Sequence, residues 1–141
     1  MIEVGQVLSL RIRFSNEGVV SASSHPYLVV AIHDELGVIE IGQIDSLAGK
    51  WYKAAMKSNK TIFCDDPIEK VIDRDSYIQL DNRFTVQNFE ELENYRRQPD
   101  KLSSNKLQEV IEAYITYHTK YDIDENKIVY MDKDEILRLN R

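Results

Sequence analysis

The hydrophobic pattern of the first part of the chain is typical of β-strands. Apolar and polar residues alternate over residues 8–14, which predicts a strand that points Arg11 and Arg13 outward. The polar stretch over residues 15–26 predicts a long loop. The continuous apolar segment over residues 27–33 predicts a strand that is buried on both faces.

The middle of the chain predicts a hairpin, after which the spacing of apolar residues changes from that of a strand to that of a helix. Turn-forming residues at 34–37 predict a hairpin in which residues 38–44 pair with the preceding strand. Apolar residues then take helical spacing over residues 46–57, with Asp45 or Ser46 as the N-cap, which predicts a helix. Further strands are predicted at residues 61–64, 77–80 and 84–86, the last two joined across Asp81 and Asn82.

Helical periodicity dominates the second half of the chain. A capping pattern at residues 88–91 predicts a short helix. An apolar stripe over residues 107–121 predicts the longest helix, and a second capping pattern predicts a last helix that ends at Leu139. Together these elements predict one α+β domain over residues 1–141, with a small, strongly curved antiparallel sheet and peripheral helices on its outside.

The composition is that of a globular protein. The 141 residues are 43% hydrophobic and 30% charged, which argues against a disordered chain. No apolar run approaches the roughly 20 residues of a membrane helix, so no membrane contact is expected. The single cysteine, Cys64, cannot form an internal disulfide, and we therefore expect a protein of the reducing cytoplasm. The three histidines and Cys64 have no metal-ligand spacing, so neither a metal site nor a cofactor is expected.

The formal net charge of −6 is unevenly distributed along the chain. No acidic residue falls between Ser46 and Cys64, whereas four lysines do. Because exposed charges more than about 8–10 Å apart are largely screened, this segment could hold a polyanion that the whole molecule repels. The charge pattern therefore predicts a localised, salt-sensitive contact if the partner is a nucleic acid.

The helix predicted over residues 46–57 would carry a cationic ridge. A hydroxyl and free backbone N–H groups at a helix N-terminus form an anion site, and lysines along the same face would follow further phosphates. Trp51 and Tyr52 beside this face could stack the bases of a single strand. The alternative is a solvated helix with Trp51 packed in the core. On an α-helix, four residues of this segment share one face: Ser46, Lys50, Lys53 and Lys57.

His25 is a candidate for proton transfer because it lies where the polar loop enters the strand predicted at residues 27–33. An imidazole at the mouth of a strand can accept or donate a proton near neutral pH, and Pro26 holds the chain extended there. The alternative is a loop histidine that caps a turn. His33 lies beside a turn and His118 lies on an apolar helix face, so both are expected to be structural.

The order of these features resembles that of the PemK/MazF-like toxins over about residues 5–86. The first strand opens with GQVL at residues 5–8, and HPYLVV at residues 25–30 matches a basic residue, a proline and an apolar strand. His25 stands where arginine is usual in that pattern. The late strand pair of the family is similar to SYIQLD at residues 76–81 followed by FTV at residues 84–86.

Within that superfamily, one segment resembles the type III toxin–antitoxin ribonucleases of the ToxN, AbiQ and CptN group. The strand ending IDS at residues 44–46, followed by Lys50, Trp51, Lys53 and Lys57, is similar to their strand, serine and Lys/Trp helix. The long helix predicted at residues 107–121 also suits these larger toxins better than the compact type II proteins.

This resemblance implies both a fold and an activity. The fold would be an SH3-like barrel. The activity would be endoribonuclease cleavage without a metal, in which the substrate's own 2′-hydroxyl attacks and a 2′,3′-cyclic phosphate is left. The partners would be cellular RNA substrates and an RNA antitoxin that the toxin processes from a repetitive precursor. That RNA would hold the toxin inactive in a closed multimeric protein–RNA complex.

The resemblance also implies roles for particular residues. Ser46 would orient the scissile phosphate, and Lys50 or Lys53 would neutralise charge that builds on its oxygens. His25, with Asp45 or Tyr27, would transfer protons. These roles require that Ser46 lie near His25 and that the lysines share one side of the molecule. The remaining candidates for contact with RNA are Arg11, Arg13, Tyr27, Trp51, Tyr52, Lys57 and Lys60.

Two other functions remain open at this point. A type II toxin of the same fold, inhibited by a protein antitoxin, would share these site residues. An SH3-like barrel can also be a binding module without any activity, because a fold does not fix a function. Cleavage of RNA would separate both kinds of toxin from a binding module.

Overall fold

A long hairpin forms the centre of the computed structural model, which describes residues 1–65 and 67–141. β2 (His25–His33) and β3 (Val38–Ser46) pair antiparallel, as the continuous apolar segment and the turn residues predict. Gly37 closes the turn with a φ of 65°, a conformation that glycine adopts without steric strain. β1 (Val7–Leu10) adds an antiparallel neighbour on the other side of β2.

β3 is the branch point of the sheet because it pairs with two later strands at its two ends. β5 (Ser76–Gln79) pairs with the C-terminal end of β3, and β6 (Arg83–Gln87) pairs with its N-terminal end. β4 (Asn59–Ile62) then pairs with the free side of β5. The strands predicted at residues 77–80 and 84–86 therefore form, but they pair with β3 and not with each other.

The connection between β5 and β6 bulges out of the sheet. Ile44 pairs with Ile78, and Ile41 pairs with Phe84. Two residues lie between these positions on β3, whereas five lie between them on the partner strands. The three additional residues, 80–82, are accommodated by an excursion of the chain, as in an extended β-bulge.

The prediction of a purely antiparallel sheet is wrong at one pair of strands. β7 (Ile128–Met131) lies parallel to β6. A parallel neighbour needs a long crossover connection, and residues 88–127 supply one that includes α1 (Ser104–Lys120). Among the described residues, seven strands form the sheet and the other five strand pairings are antiparallel.

The helices of the second half confirm the predicted α+β class. α1 buries Val110 and Tyr114 from the predicted apolar stripe. α2 (Lys133–Leu139) begins at the predicted capping pattern, where the carboxylate of Asp132 accepts a hydrogen bond from the backbone N–H of Glu135 at 2.9 Å. The short helix predicted after residue 88 is a 3₁₀ helix, Glu90–Tyr95.

The helix predicted over residues 46–57 is wrong. Ser46 is the last residue of β3, where it pairs with Ser76 of β5. Leu47 is buried, and Gly49 turns the chain with a φ of 72°. What remains is a 3₁₀ helix, Trp51–Ala55, that buries none of its residues. Because Asp45 and Ser46 pair with β5, they do not form the helix N-terminus that the sequence predicts at these positions.

Hydrophobic clusters cover both faces of the sheet. One cluster packs Leu28, Ile44 and Ile78 of the sheet against Val110 and Tyr114 of α1. On the opposite face, the second cluster packs residues of β1, β2, β3 and β6 against Leu92 and Ile136. None of the helices in the described part of the chain is both long and apolar enough to cross a membrane.

Candidate active site

One face of the sheet is polar where the ends of β2, β3 and β5 meet. Asp45 pairs with Tyr77, and Tyr27 pairs with Gln43, so alternation places the polar side chains on the same face. The opposite face at this level buries Ile44 and Ile78. Five side chains share the polar face: His25, Gln43, Asp45, Tyr77 and Gln79.

A cavity of about 250 Å³ lies at these strand ends, and we call it the His25 cavity; residues of both faces line it, since it includes Ile44 as well as His25 and Asp45. It brings together three residues that the sequence predicts to be catalytic, and it adds charged residues from two loops. The requirement that Ser46 lie near His25 is therefore met. The polar and charged lining includes His25, Asp45, Ser46, Asp73, Arg74 and Arg97.

The imidazole of His25 is available for proton transfer. His25 is the first residue of β2 and is half-buried. In residues 1–65 and 67–141, the histidine side chains that make hydrogen bonds are His33 and His118, and neither nitrogen of His25 is engaged. A ring with unengaged nitrogens at the wall of a cavity can take up or release a proton.

Asp45 is a positioning residue. Its Oδ1 accepts a hydrogen bond from the backbone N–H of Ser46 at 3.0 Å. Its Oδ2 accepts hydrogen bonds from the ammonium of Lys50 and from the hydroxyl of Tyr77, both at 3.2 Å. Because three donors already engage the carboxylate, Asp45 holds Lys50 and the end of β3 in place and is poorly suited to be the base.

Ser46 offers a hydroxyl to the cavity. Its Oγ accepts a hydrogen bond from the backbone N–H of Ala48 at 3.1 Å, which fixes the oxygen at the turn after β3. The hydroxyl proton has no acceptor among the described residues. Ser46 can therefore donate to an oxygen of a bound phosphate, as the resemblance implies, although a strand end and not a helix positions it.

Tyr77 remains a hydrogen-bond donor at neutral pH. Burial, followed by the charge of Asp45 and the hydrogen bond to it, raises the pKa of Tyr77 to about 12. The phenol is therefore protonated in the physiological range. It supports the carboxylate of Asp45 from the side of β5.

Sequence analysis missed the two arginines of the cavity. Arg74 lies in the loop before β5, and its partner is Asp73 at 3.5 Å, an exposed pair that contributes little. The arginines that form ion pairs in the described chain are Arg13, Arg74 and Arg83, so Arg97 is left as an uncompensated cation at this cavity. Its backbone N–H donates to the carbonyl of Val7 at 2.9 Å, which attaches this segment to β1.

The lysines do not form the predicted ridge. Lys50 contacts Asp45, and the ammonium of Lys53 lies 5.5 Å from the centre of the Tyr52 ring. Lys57 and Lys60 line a separate groove beside α1, where Lys60 lies 3.8 Å from Glu109. The prediction that Lys50, Lys53 and Lys57 share one helix face is wrong because the α-helix that would align them does not form, and Lys53 and Lys57 line different cavities.

The aromatic candidates separate into exposed and buried residues. Trp51 is 58% exposed and Tyr52 is 67% exposed, so the alternative with Trp51 in the core is wrong. Tyr27 is completely buried, and burial raises its pKa. Its ring packs edge-on against Phe84 in the core and offers no surface to a base.

Arg11 and Arg13 hold the fold together. The guanidinium of Arg13 contacts both carboxylate oxygens of Glu135 in α2, at 2.8 and 3.2 Å, and the hydrogen bond with Glu135 raises the pKa of Arg13. The Nε of Arg11 donates to the carbonyl of Ser21 at 3.0 Å. Both side chains are thus engaged within the protein, and neither lines the His25 cavity.

Neither a metal-binding cluster nor a comparison with known proteins assigns a function to this cavity. Within the described ranges, no three His, Cys, Asp or Glu side chains come together in a way that could hold a metal ion. A scan against protein-family models finds no match, and a comparison with curated proteins finds none either. The case for a function therefore depends on the cavity and on the sequence resemblance.

Proposed function

We propose that this protein is an endoribonuclease toxin that cleaves single-stranded RNA at the His25 cavity, without a metal ion. The observation that carries the proposal is the composition of one cavity. It combines an imidazole whose nitrogens are unengaged, the hydroxyl of Ser46 and the guanidinium groups of Arg74 and Arg97. These are the groups needed to move a proton and to hold a phosphodiester.

In the proposed reaction, His25 takes the proton of a ribose 2′-hydroxyl. The 2′-oxygen then forms a bond to phosphorus, and the bond from phosphorus to the 5′-oxygen of the next nucleotide breaks. The departing 5′-oxygen takes a proton from water, and His25 returns its proton to solvent. The products are a 2′,3′-cyclic phosphate and a free 5′-hydroxyl, so atoms and charge balance without another reactant.

The charge that builds on the phosphate oxygens is stabilised by fixed donors. Arg97 has no ion-pair partner in the described chain, and a guanidinium can hold a phosphate through two parallel hydrogen bonds. Arg74 and the hydroxyl of Ser46 supply further donors from the same wall. Donors that are in place before the reaction are the most effective form of electrostatic catalysis.

The partner in this proposal is an RNA antitoxin, as in the type III toxins that the sequence resembles. In the same proposal, the sheet that branches at β3 forms the SH3-like barrel of that group. A toxin of this kind acts in the cytoplasm and is held inactive in a multimeric complex with the RNA. The exposed rings of Trp51 and Tyr52 are suited to stacking its unpaired bases.

The direct test is cleavage of a labelled single-stranded RNA by purified, RNA-free protein in the presence of EDTA. We expect products that end in a 2′,3′-cyclic phosphate. We expect His25→Ala to lower the cleavage rate by about 100-fold or more, the usual contribution of a general base. The melting temperature should stay nearly unchanged because His25 makes no hydrogen bond within the described chain.

His33→Ala is the matched control, since His33 lies at the other end of β2 and outside the cavity. It should cut RNA at the rate of the unmodified protein. If the unmodified protein leaves RNA intact while it binds a peptide at this face, it is a binding module and the proposal is wrong. Dependence of cleavage on a divalent metal would contradict the proposed mechanism.

Native purification from the host tests the proposed partner. A single discrete RNA that accompanies the protein through repeated preparations would support the type III assignment. A small protein in its place would support a type II toxin. Digestion of the accompanying RNA by an added ribonuclease should release an active enzyme in the first case only.

A further inference from the structure

A second cavity, of about 240 Å³, lies on the polar face of the sheet, and we call it the amide cavity. It shares no residue with the His25 cavity, but a third cavity has His25 in common with the first and Phe14, Gln43 and Gln79 in common with the second. A ligand bound at the His25 cavity can therefore extend into the amide cavity along the polar face of the sheet. The residues of the amide cavity used below are Phe14, Gln43, Lys53, Met56, Gln79 and Asn82.

Asn82 leaves a buried acceptor without a donor in this cavity. The residue is only 4% exposed, and its Oδ1 is buried with no hydrogen-bond partner in the described chain. Its Nδ2 donates to Oε1 of Gln79 at 3.2 Å, which fixes the orientation of both amides. A buried polar atom without a partner costs about 1–3 kcal/mol and calls for an explanation, such as a ligand that supplies the donor.

Two further amide groups complete the recognition surface. Because Oε1 of Gln79 is occupied by Asn82, its Nε2 remains as a donor. The glutamine side chains that hydrogen-bond within residues 1–65 and 67–141 are Gln6, Gln79, Gln87 and Gln108, so the amide of Gln43 has both a donor and an acceptor available. The bulge at residues 80–82 explains this arrangement, since it brings Asn82 out of the ladder.

Apolar surfaces flank these amides. Phe14 is 38% exposed and Met56 is 42% exposed, and both line the cavity. An aromatic ring beside amide donors and acceptors is the combination that binds an unstacked base in single-stranded RNA. Asparagine and glutamine amides also match the adjacent donor and acceptor atoms of a base edge.

The acceptors and the size of the amide cavity favour a base over the other groups of the same strand. A phosphate would meet the unpartnered Oδ1 of Asn82 and the carboxylate of Asp81, and both would repel it. Lys127 at the rim is paired with Asp81 at 2.9 Å, whereas Lys53, also at the cavity, has no carboxylate partner in the described chain. The cavity is also smaller than the roughly 300–1,000 Å³ of sites for drug-sized molecules, which suits one small planar group.

Strand geometry sets the spacing of Gln43, which lines the amide cavity, and Asp45, which lines the His25 cavity. Gln43 lies two residues before Asp45 on β3, and both side chains are on the polar face. Two residues of a strand span about 7 Å. One ribose can bridge that distance between a phosphate and its base.

From these observations we propose that the amide cavity binds one unstacked nucleobase, adjacent to the phosphate that is cut at the His25 cavity. The inference rests on the proposed function, because it gives that site its readout of RNA sequence. Gln43 is the residue that reads the base, and Gln79 and Asn82 present the fixed donor and acceptor. Phe14 supplies the stacking surface.

The test uses short fluorescein-labelled deoxyoligonucleotides, which lack the 2′-hydroxyl and cannot be cleaved by the proposed reaction. Fluorescence anisotropy compares each of the four homopolymers with an abasic oligomer of the same length and charge. We expect at least one homopolymer to bind about 10-fold more tightly than the abasic strand. We expect Gln43→Ala to remove about 10-fold of this preference and to leave abasic binding unchanged.

Gln108→Ala is the matched control, because this glutamine is exposed on α1, donates to Glu112 of the same helix and does not line the amide cavity. It should retain the preference of the unmodified protein. Equal binding of homopolymers and abasic strand by the unmodified protein, or an unchanged preference in Gln43→Ala, would overturn the inference.

Cleavage of mixed-sequence RNA distinguishes this inference from the proposed function. If Gln43→Ala still cleaves RNA but selects sites less strictly, both are supported. If the unmodified protein cleaves RNA and Gln43→Ala selects the same sites, the inference is wrong while the function stands. If Gln43 governs base binding but no RNA is cleaved, the proposed function is wrong and the cavity is a base-binding site only.

Discussion

Two polar clusters lie toward opposite ends of β3 and contain the same kinds of side chain. At the C-terminal end, Asp45 accepts a hydrogen bond from Tyr77 beside His25. Toward the N-terminal end, Glu40 accepts one from Tyr114 on the face covered by α1. We call this second group the Glu40 cluster, and its members are His33, Glu40, Arg83, Tyr114 and His118.

The side chains of the Glu40 cluster are bonded to one another, although the Nε of Arg83 is buried without a hydrogen-bond partner in the described chain. Glu40 Oε2 lies 2.6 Å from the Nε2 of His33, and Oε1 accepts the hydroxyl of Tyr114 at 2.7 Å. The guanidinium of Arg83 lies 3.7 Å from Oε1, and it contacts the Nδ1 of His118 at 3.0 Å. His118 in turn donates from Nε2 to the carbonyl of Leu80 at 2.8 Å.

The two clusters differ in what their histidines do. Burial alone would raise the pKa of Glu40, but the hydrogen bonds from His33 and Tyr114 and the charge of Arg83 together lower it. Each member of this cluster has a polar partner in it, whereas the nitrogens of His25 are unengaged in the described chain. Satisfied networks stabilise a fold, and free groups beside a cavity are available for chemistry.

Removal of the shared carboxylate should give the largest effect on stability. Glu40→Ala leaves the buried hydroxyl of Tyr114 without its acceptor and Arg83 without its counter-charge. We expect the free energy of unfolding in urea to fall by about 3 kcal/mol. The folded fraction should still cleave RNA, because no member of the Glu40 cluster lines the His25 cavity.

Glu109→Ala is the control for that variant, because Glu109 is exposed on α1 and its ion pair in the described chain is a long surface contact with Lys60. We expect a change within about 0.5 kcal/mol. Loss of cleavage in folded Glu40→Ala would contradict the division between a structural and a catalytic cluster.

Matched removal of two hydroxyls should give a smaller effect. Tyr77→Phe and Tyr114→Phe each delete one hydrogen bond to a carboxylate, and we expect each to lower the free energy of unfolding by about 1 kcal/mol. Tyr77→Phe should also slow RNA cleavage, because Tyr77 supports Asp45 at the His25 cavity. Equal cleavage rates for the two variants would show that the position of Asp45 is unimportant for catalysis.

The smallest effect concerns pH. Burial, aided by the charge of Arg83, lowers the pKa of His118 despite its bond to Leu80. The unfolded chain, in which histidine has a pKa of about 6.5, therefore binds the proton more readily than the folded protein. The contribution of neutral His118 to stability is complete above that pH and decreases as the pH falls below it.

Urea unfolding at several pH values between neutral and mildly acidic conditions measures this slope. His118→Gln keeps a neutral side chain that can donate to the carbonyl of Leu80, so we expect a flatter profile for this variant. An unchanged profile would assign the pH dependence to other groups.

The parts of the fold that were predictable depend on neighbours in sequence. The β2–β3 hairpin follows from a continuous apolar segment and a turn closed by Gly37, and α1 follows from a stripe that includes Val110 and Tyr114. The helix predicted after Asp45 does not form, because β5, a strand distant in sequence, pairs with Asp45 and Ser46. Tertiary pairing of this kind overrides local helical spacing.

The candidate site was predictable only in part for the same reason. His25 and Ser46 stand out locally, one before a proline and one at the end of a strand, and the structure places both at one cavity. No local sequence pattern singles out Arg97, since it lies between an acidic segment and a loop. It reaches the cavity because its backbone attaches to β1 through Val7.

The parallel pairing of β6 and β7 has a consequence for synthesis of the protein. During translation, the strands that carry the His25 cavity emerge before α1, and β7 emerges after it. The outer edge of β6 thus stays uncovered until residues 128–131 leave the ribosome, and such an edge is a template for aggregation. Chains that terminate early would therefore be prone to self-association and to removal by proteases, which would limit the amount of incomplete protein in the cell.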